Sequence, residues 1–293
     1  MNPPVCTALI PAGSFTMGDT LDGESDVVPT AVVNVSAFYM DVNLVSLNRW
    51  KSVYNFATGH RYGFDHGGSG KATNQLVQTV RWFDAVKWCN ARSQQEGLTP
   101  MYYTDAGLTQ AYTNSQDNTP YVNWTANGYR LPTEAEWEKA ARGESSGLRF
   151  PRGNNITEND ANYYGNTAIS YDLGPNGYNS IGSIGGTSPA TTPVGSFAPN
   201  GYGLYNMAGN VMEWCWDWYA APQFPLPPSP PYYPPGSPYL GGSNPYGADS
   251  GNCRVLRGGY WGFYANDACC AFRSDLAPTY ADSNGGFRCV RGL

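Results

Sequence analysis

The sequence is poor in charged residues and contains no run of basic ones. Asp, Glu, Lys and Arg make up 14% of the 293 residues, and the net charge is −6. An ordinary soluble domain carries roughly 25%. Affinity for nucleic acid comes mainly from Lys and Arg on phosphates, so a nucleic-acid partner is not expected. No apolar run approaches the ~20 residues that cross a bilayer, and the N-terminus lacks the basic start of a signal peptide. We expect a soluble protein without membrane insertion, and no motif assigns its cellular location.

Motifs for metal and redox chemistry are also scarce. The chain has two histidines, and its seven cysteines are irregularly spaced and never form C-x-x-C. This pattern disfavours a disulfide framework and a structural zinc site. We interpret the cysteines as reduced, buried thiols that act as small apolar side chains. The adjacent Cys269 and Cys270 cannot readily pair with each other, and a Cys253–Cys289 bridge is left open.

Glycine, proline and aromatic residues are abundant instead, with 35 Gly, 23 Pro, 22 Tyr and 9 Trp. Gly and Pro interrupt regular elements, which predicts many turns and few long helices. Aromatic side chains then supply much of the buried area. No internal repeat is visible, and we expect one domain spanning 1–293. The Pro-rich stretch 221–247 is interpreted as an excursion from that domain, because the aromatic C-terminal segment resumes soon after it.

Capping signals and periodicity predict the main elements. A helix is expected over about Leu47–Thr58, with Ser46 as N-cap, and a second over about Trp82–Gln95. Thr133 and Glu136 form a capping box for a further helix that Gly143 ends. We give the three glutamates of this helix, at positions 134, 136 and 138, a structural rather than a catalytic role.

Strands are predicted mainly in the first half of the chain. A strand, a turn and another strand are expected over 7–18, and a half-buried strand over Val32–Met40, where apolar and polar residues alternate. Short strands are expected near 101–103 and 121–124. The Gly-rich stretch 62–72 lacks the spacing of a phosphate-binding loop and is interpreted as a surface loop.

Five segments, in order along nearly the whole chain, resemble the formylglycine-generating enzyme or sulfatase-modifying-factor family: Ile10–Gly18, Tyr129–Gly143, Asn200–Trp218, Arg254–Gly259 and Gly286–Arg288. The resemblance implies an α+β, C-type-lectin-like fold with about two main helices, small twisted antiparallel sheets and much ordered loop.

The same resemblance implies a structural calcium site, although no cofactor is expected to be required. In the enzymes, one calcium ion is bound by an N-x-x-G-N-x-x-E segment. The matching ligands here are Asn206, Gly209, Val211 and Glu213. Amide, carbonyl and carboxylate oxygens are the donors that calcium prefers.

The catalytic chemistry of the family is not expected in this chain. The enzymes use a C-x4-C pair just after the Gly-Gly of the C-terminal segment, where thiolates bind copper. The corresponding stretch 260–268 has no cysteine, and Cys269 and Cys270 have the wrong spacing. The related sulfoxide synthases need an iron bound by histidines, and His60 and His66 are too few. We therefore expect a protein that is not an enzyme.

The C-terminal segment 254–290 combines a recurrent frame with residues that lack a period of 2 or 3.6. It resembles the variable region of proteins diversified by retroelements, in which R-G-G-x-W and G-F-R enclose groups of variable positions. The frame residues are Arg257, Gly258, Gly259, Trp261, Arg273, Pro278, Gly286, Phe287 and Arg288. We expect Trp261, Arg273 and Pro278 to be buried or turn-forming. The sixteen candidate variable positions are Tyr260, Gly262, Phe263, Tyr264, Asn266, Asp267, Phe272, Ser274, Asp275, Leu276, Ala277, Thr279, Tyr280, Asp282, Ser283 and Asn284.

Adenine mutagenesis of AAC-type codons, which such elements use, reaches every residue found at these variable positions. It reaches no Lys, Glu, Gln, Met or Trp, and none occurs there. Tyr and Phe give large contact area at low entropic cost, while Ser, Asn and Gly give adaptable contacts.

The resemblance predicts a monomeric, non-catalytic protein whose exposed C-terminal surface binds a varied ligand, such as a protein or cell-surface molecule. Three alternatives are left open. The aromatic residues could be core residues of an inactive family member, the chain could be a copper oxidase of the formylglycine-generating type with a rearranged thiol, or it could be a calcium-dependent sugar lectin. The sugar motifs Glu-Pro-Asn and Gln-Pro-Asp are absent.

Overall fold

The computed structural model describes residues 4–114, 117–182, 191–221 and 233–293. Its three α-helices in the described ranges are α1 (Leu47–Thr58), α2 (Trp82–Gln95) and α3 (Glu134–Arg142). The Ser46 hydroxyl accepts a hydrogen bond from the Arg49 N–H, and both bonds of the predicted capping box are present on α3. Gly143 ends α3 in the left-handed region with φ of 56°. The predicted boundaries of α1 and α2 are confirmed, and so is the further helix predicted after the capping box.

Short strands make up small sheets. The first sheet has the order β1 (Thr7–Ile10), β4 (Phe38–Asp41), β14 (Val290–Gly292), and the second has β10 (Gly242–Ser243), β3 (Ala31–Val35), β2 (Gly13–Met17). A four-stranded sheet has the order β12 (Arg273–Leu276), β11 (Arg254–Arg257), β9 (Met212–Trp218), β13 (Gly285–Gly286). Two hairpins pair β5 (Tyr102–Tyr103) with β6 (Tyr121–Val122), and β7 (Tyr164–Gly165) with β8 (Gly177–Tyr178).

The strand predicted over Val32–Met40 is two strands in two different sheets. The chain leaves β3 at Val35 and enters β4 at Phe38. All four residues of β4 are buried, because β4 is the central strand of its sheet. The alternation of apolar and polar residues therefore describes β3 alone, where exposed and buried positions do alternate.

The core is aromatic, as the composition predicts. Trp50, Trp82, Trp88, Trp137 and Trp214 are fully buried. The rings of Trp50 and Trp88 stack with centroids 6.0 Å apart, and Phe287 packs its edge against both. The frame residue Phe287 thus ties the C-terminal segment to the two long helices.

The second half of the Pro-rich stretch is part of the fold rather than an excursion from it. Tyr233 and Tyr239 are buried and stack on each other with ring centroids 4.9 Å apart. The Tyr233 hydroxyl donates to the Asp26 carbonyl at 2.6 Å, and β10 pairs in parallel with β3. Residues 222–232 of the predicted excursion lie outside the described ranges. None of the described helices has the length and apolar character needed to cross a bilayer.

Candidate functional site

The C-terminal segment starts on β11, a central strand, and leaves it through two glycines. Gly258 and Gly259 have φ of 92° and 68°. A Cβ at Gly259 would lie 2.5 Å from the Asp267 carbonyl oxygen, so only glycine allows the following 3₁₀ turn (Ala265–Ala268) to fold back against it. The chain then returns along the edge strand β12.

Buried arginines of the frame hold this path in place. Arg257 pairs with Glu138 of α3 and donates to the carbonyls of Cys270, Ala271 and Phe272. Its guanidinium therefore clamps three consecutive peptide units that precede β12.

Two further arginine–glutamate pairs anchor the segment. Arg273 binds both oxygens of Glu134 on α3, at 2.6 and 2.9 Å, and Arg288 binds both oxygens of Glu213 on β9, at 2.7 and 2.8 Å. Such forked pairs fix orientation as well as charge. The structural role predicted for the α3 glutamates agrees with these contacts.

The frame residues are buried with one exception. Trp261 is partly exposed and lies in a turn, and the other eight are buried. The sixteen candidate variable positions are distributed differently, since six are exposed, ten are half-buried and none is buried. The exposed ones are Tyr264, Asp275, Thr279, Tyr280, Asp282 and Ser283; the half-buried ones are Tyr260, Gly262, Phe263, Asn266, Asp267, Phe272, Ser274, Leu276, Ala277 and Asn284.

The five aromatic variable positions are not core residues. Tyr264 and Tyr280 are 45% and 65% exposed, while Tyr260, Phe263 and Phe272 only border the buried clusters. This arrangement argues against the interpretation of these residues as the core of an inactive family member.

Residues outside the C-terminal segment donate hydrogen bonds to the backbone carbonyls of three candidate variable positions. The Phe263 carbonyl accepts from the Tyr164 N–H at 2.8 Å, the Asp282 carbonyl from the Thr79 N–H at 3.0 Å, and the Asn284 carbonyl from the Met212 N–H at 2.8 Å. Backbone bonds do not depend on which side chain is present. The path of the segment can therefore persist when its side chains change.

The variable aromatic residues continue into a hairpin that the sequence analysis missed. The Tyr164 ring packs its edge against Tyr264, with centroids 5.6 Å apart, and Tyr178 lies 5.9 Å from Trp261. Two-residue strands such as β7 and β8 are too short to show a period, so periodicity could not predict them. The sequence signal that could have indicated this hairpin is the pairing of tyrosine with glycine in Tyr164-Gly165 and Gly177-Tyr178.

The surface also carries acidic side chains. Asp267, Asp275 and Asp282 make no ion pair within the described part of the chain. Burial and the neighbouring Asp282 raise the pKa of Tyr260, which places this carboxylate beside the aromatic residues. The surface is therefore both aromatic and acidic.

Comparison with known proteins identifies the family of this chain. A sequence model of the sulfatase-modifying factor enzyme 1-like domain matches residues 3–293. The chain is 33% identical to the formylglycine-generating enzyme of Thermomonospora curvata over 306 residues, covering 96% of this chain and 91% of that one. The chain belongs to the sulfatase-modifying factor enzyme 1-like family. The bovine formylglycine-generating enzyme is 31% identical over 99% of this chain and 75% of its own.

Two solved structures share the fold across almost their full length. Treponema denticola variable protein 1 superposes with a TM-score of 0.72 and 25% identity, covering 98% of this chain and 95% of that one. CarF superposes with a TM-score of 0.71 and 25% identity, covering 99% of both chains. The predicted α+β, C-type-lectin-like fold and the resemblance to variable proteins are thereby confirmed.

Five of the seven cysteines are buried, Cys253 is half-buried and Cys6 is exposed. Cys269 and Cys270 are buried, and burial raises the pKa of both thiols, that of Cys270 to about 12. All seven cysteines are free. The Cys253–Cys289 bridge that the sequence left open is not formed, because the Cys289 sulfur lies 3.5 Å from that of Cys89 in the core. Burial and the neighbouring Asp275 raise the pKa of the half-buried Cys253 to about 11.

The predicted calcium ligands are buried; Asn206, Gly209 and Val211 precede β9, and Glu213 lies at its start. Among the described residues, neither the amide oxygen nor the amide nitrogen of Asn206 has a hydrogen-bond partner, which suits a cation ligand. Both oxygens of Glu213 are bonded to Arg288. A calcium ion held by Asn206, Gly209, Val211 and Glu213 would therefore share the carboxylate with this arginine, and it would cross-link the turn.

Proposed function

We propose that this chain is a non-catalytic binding protein whose C-terminal surface is diversified by a retroelement to recognise varied macromolecular ligands. The observation that carries the proposal is the separation of the two sets of residues. None of the sixteen variable positions is buried, whereas eight of the nine frame residues are. The overall similarity to a variable protein supports the same conclusion.

The physical arrangement suits a surface that must accept many sequences. Buried arginine–glutamate pairs and backbone hydrogen bonds determine where the segment runs, and neither uses a variable side chain as the anchor. A binding site is effective when rigid elements support it. Tyr and Phe then supply contact area at low entropic cost, as in antibody loops.

The coding DNA tests the diversification directly. We expect a reverse-transcriptase gene nearby and a near-copy of the segment that encodes 254–290, with AAC or AAT codons at the sixteen variable positions. The frame codons should be identical in both copies. If no such copy exists in the genome, the proposed diversification is wrong.

A copper oxidase of the formylglycine-generating type is the second candidate, because the chain is 33% identical to such an enzyme. Its surface lacks a thiol at 260–268, and the adjacent Cys269 and Cys270 are buried. The test is oxidation of a cysteine-containing sulfatase peptide in the presence of copper. We expect no turnover. Turnover that Cys269→Ser or Cys270→Ser abolishes would overturn the binding proposal.

A further inference from the structure

The aromatic surface extends beyond the C-terminal segment as an unbroken series of ring contacts. Phe272, Phe263, Tyr260 and Trp261 follow one another with centroid separations of 6.2, 4.2 and 5.5 Å. The series continues from Trp261 to Tyr178, then to Tyr164 and Tyr264, at 5.9, 4.6 and 5.6 Å. Tyr164 and Tyr178 belong to the β7–β8 hairpin, about a hundred residues before the segment.

The hairpin is rigid and is attached to the segment by its backbone. Its two tyrosines are paired directly across the strands. A Cβ at Gly165 would lie 2.0 Å from the Pro175 carbonyl oxygen, so the two arms approach as closely as only glycine permits. The Tyr164 N–H donates to the Phe263 carbonyl. The preceding Tyr163 is fully buried, and its hydroxyl binds Asp172 at 2.5 Å.

The side chains of Tyr164 and Tyr178 face the same side as the variable residues without being core residues. Tyr178 is 47% exposed and Tyr264 is 45% exposed. Both rings contact the ring of Tyr164. Rigid tyrosines supply large contact area at low rotamer-entropy cost. Residues outside 254–290 would stay constant while the segment changes.

The charge of the surface indicates the partner. Arg273 on β12 is buried and paired with Glu134. The exposed Asp275 and Asp282 make no ion pair within the described ranges and can attract cations, and exposed tyrosine rings also bind Lys and Arg over their faces.

We propose that the binding surface includes Tyr164 and Tyr178 as constant aromatic contacts, and that this chain's surface binds a folded protein through a patch of Lys and Arg. The proposal rests on the proposed function, because it assigns these tyrosines to the same surface. The two constant tyrosines would then provide aromatic contact area for every ligand, whichever residues occupy the variable positions.

The test uses the full chain, immobilised and probed with a displayed library of small folded proteins whose surfaces are randomised. We expect the selected binders to be rich in Lys and Arg and to weaken with rising salt. Tyr178→Ser and Tyr164→Ser should each raise Kd about tenfold or more. Tyr121→Ser is the matched control, since Tyr121 is 51% exposed on β6 and makes none of these ring contacts. It should leave Kd unchanged.

A variant at a variable position separates the two claims. Tyr280→Ser should also raise Kd. If it does while Tyr178→Ser and Tyr164→Ser do not, the hairpin is not part of the surface and only this inference fails. If binders are indifferent to Tyr280→Ser as well, the proposed function fails. Binders without basic residues, or glycans bound in place of proteins, would overturn the proposed partner. Thermal melts of each variant, with Tyr178→Phe as the conservative change, confirm that the fold is intact.

Discussion

Four buried arginines determine the shape of the C-terminal segment at the level of single residues. Three of them, Arg257, Arg273 and Arg288, are neutralised by glutamates on α3 and β9. Arg254 is held differently, with its guanidinium 3.9 Å from the Trp82 ring centroid and 3.5 Å from that of Trp218. Burial lowers the pKa of Arg254 to about 9. A planar guanidinium suits both arrangements, and lysine would suit neither.

Removing one of these arginines should be far more costly than removing a variable side chain. Arg273→Ala removes the forked pair of the buried Glu134, whose other cation, Arg257, lies 3.8 Å away, so we expect a loss of about 3–5 kcal/mol in the free energy of unfolding. Tyr280→Ala, at a position 65% exposed, should change it by less than about 0.5 kcal/mol. Urea denaturation of both variants measures the difference. Equal losses would contradict the division into frame and variable residues.

A single carboxyl group should make stability depend on pH near neutrality. Burial, with the nearby Asp26 and Asp19, raises the pKa of Glu24 from 4.5 to about 7. The folded state therefore binds this proton more tightly than the unfolded state does. Its stabilising contribution is complete below about pH 4.5 and is lost as the pH rises through 7.

Glu24→Gln tests this dependence because glutamine cannot lose a proton. The stability of the wild type relative to Glu24→Gln should fall between pH 5 and pH 8, measured by urea denaturation at each pH. Asp105→Asn is a control at a solvent-exposed carboxyl, whose hydrogen bonds to Thr109 and Gln110 lower its pKa. The stability of the wild type relative to Asp105→Asn should not fall between pH 5 and pH 8. A constant difference for Glu24→Gln would show that Glu24 has an ordinary pKa.

At the scale of elements, the sequence predicted the helix starts, because helix caps depend on residues that are close in the chain. Ser46 and the Thr133–Glu136 box identify the starts of α1 and α3, because a helix cap depends on residues three positions apart. The prediction of one strand over Val32–Met40 was wrong. Alternation of apolar and polar residues shows that a strand is half-buried, but it does not show which sheet the strand joins. The arginine–glutamate pairs could not be foreseen, since Arg273 and Glu134 are 139 residues apart.

The turn from Asn206 to Glu213 is the element whose stability we expect to depend on calcium. The unpartnered amide oxygen of Asn206 would become a ligand of the calcium ion. An ion that binds only the folded state raises Tm. Calcium should therefore raise the Tm of the wild type above its value in a chelator. Asn206→Ala should remove that increase, whereas Asn210→Ala, whose amide already binds Asn162 and Thr192, should retain it. No change in the wild type would exclude this site.

At the scale of the molecule, the proposed binding surface is formed by the end of the chain and is supported by residues from most of the chain. Thr79, Tyr164 and Met212 hold its backbone, and α3 and β9 hold its arginines. The candidate variable positions could be read from the sequence because the frame has a recognisable spacing. The hairpin tyrosines could not, because only the fold brings β7 and β8 beside the segment.

This division predicts how the whole molecule responds to wholesale substitution. A library randomised at the sixteen variable positions, with residues from the set that AAC codons reach, should retain the fold in most members. Their anchors are backbone groups and buried arginines that the library does not alter. Surface changes of this kind usually shift stability by less than about 0.5 kcal/mol each.

The matched library is randomised at the nine frame residues with the same codon set. It removes buried guanidinium groups, the glycines at φ of 92° and 68°, and the Phe287 contact with Trp50 and Trp88. Few of its members should melt cooperatively, because uncompensated buried charges and strained backbone each cost several kcal/mol. Cooperative melting, followed by circular dichroism, is the measurement for both libraries. If the two libraries retain the fold equally often, the C-terminal segment is not a rigid frame that carries replaceable side chains.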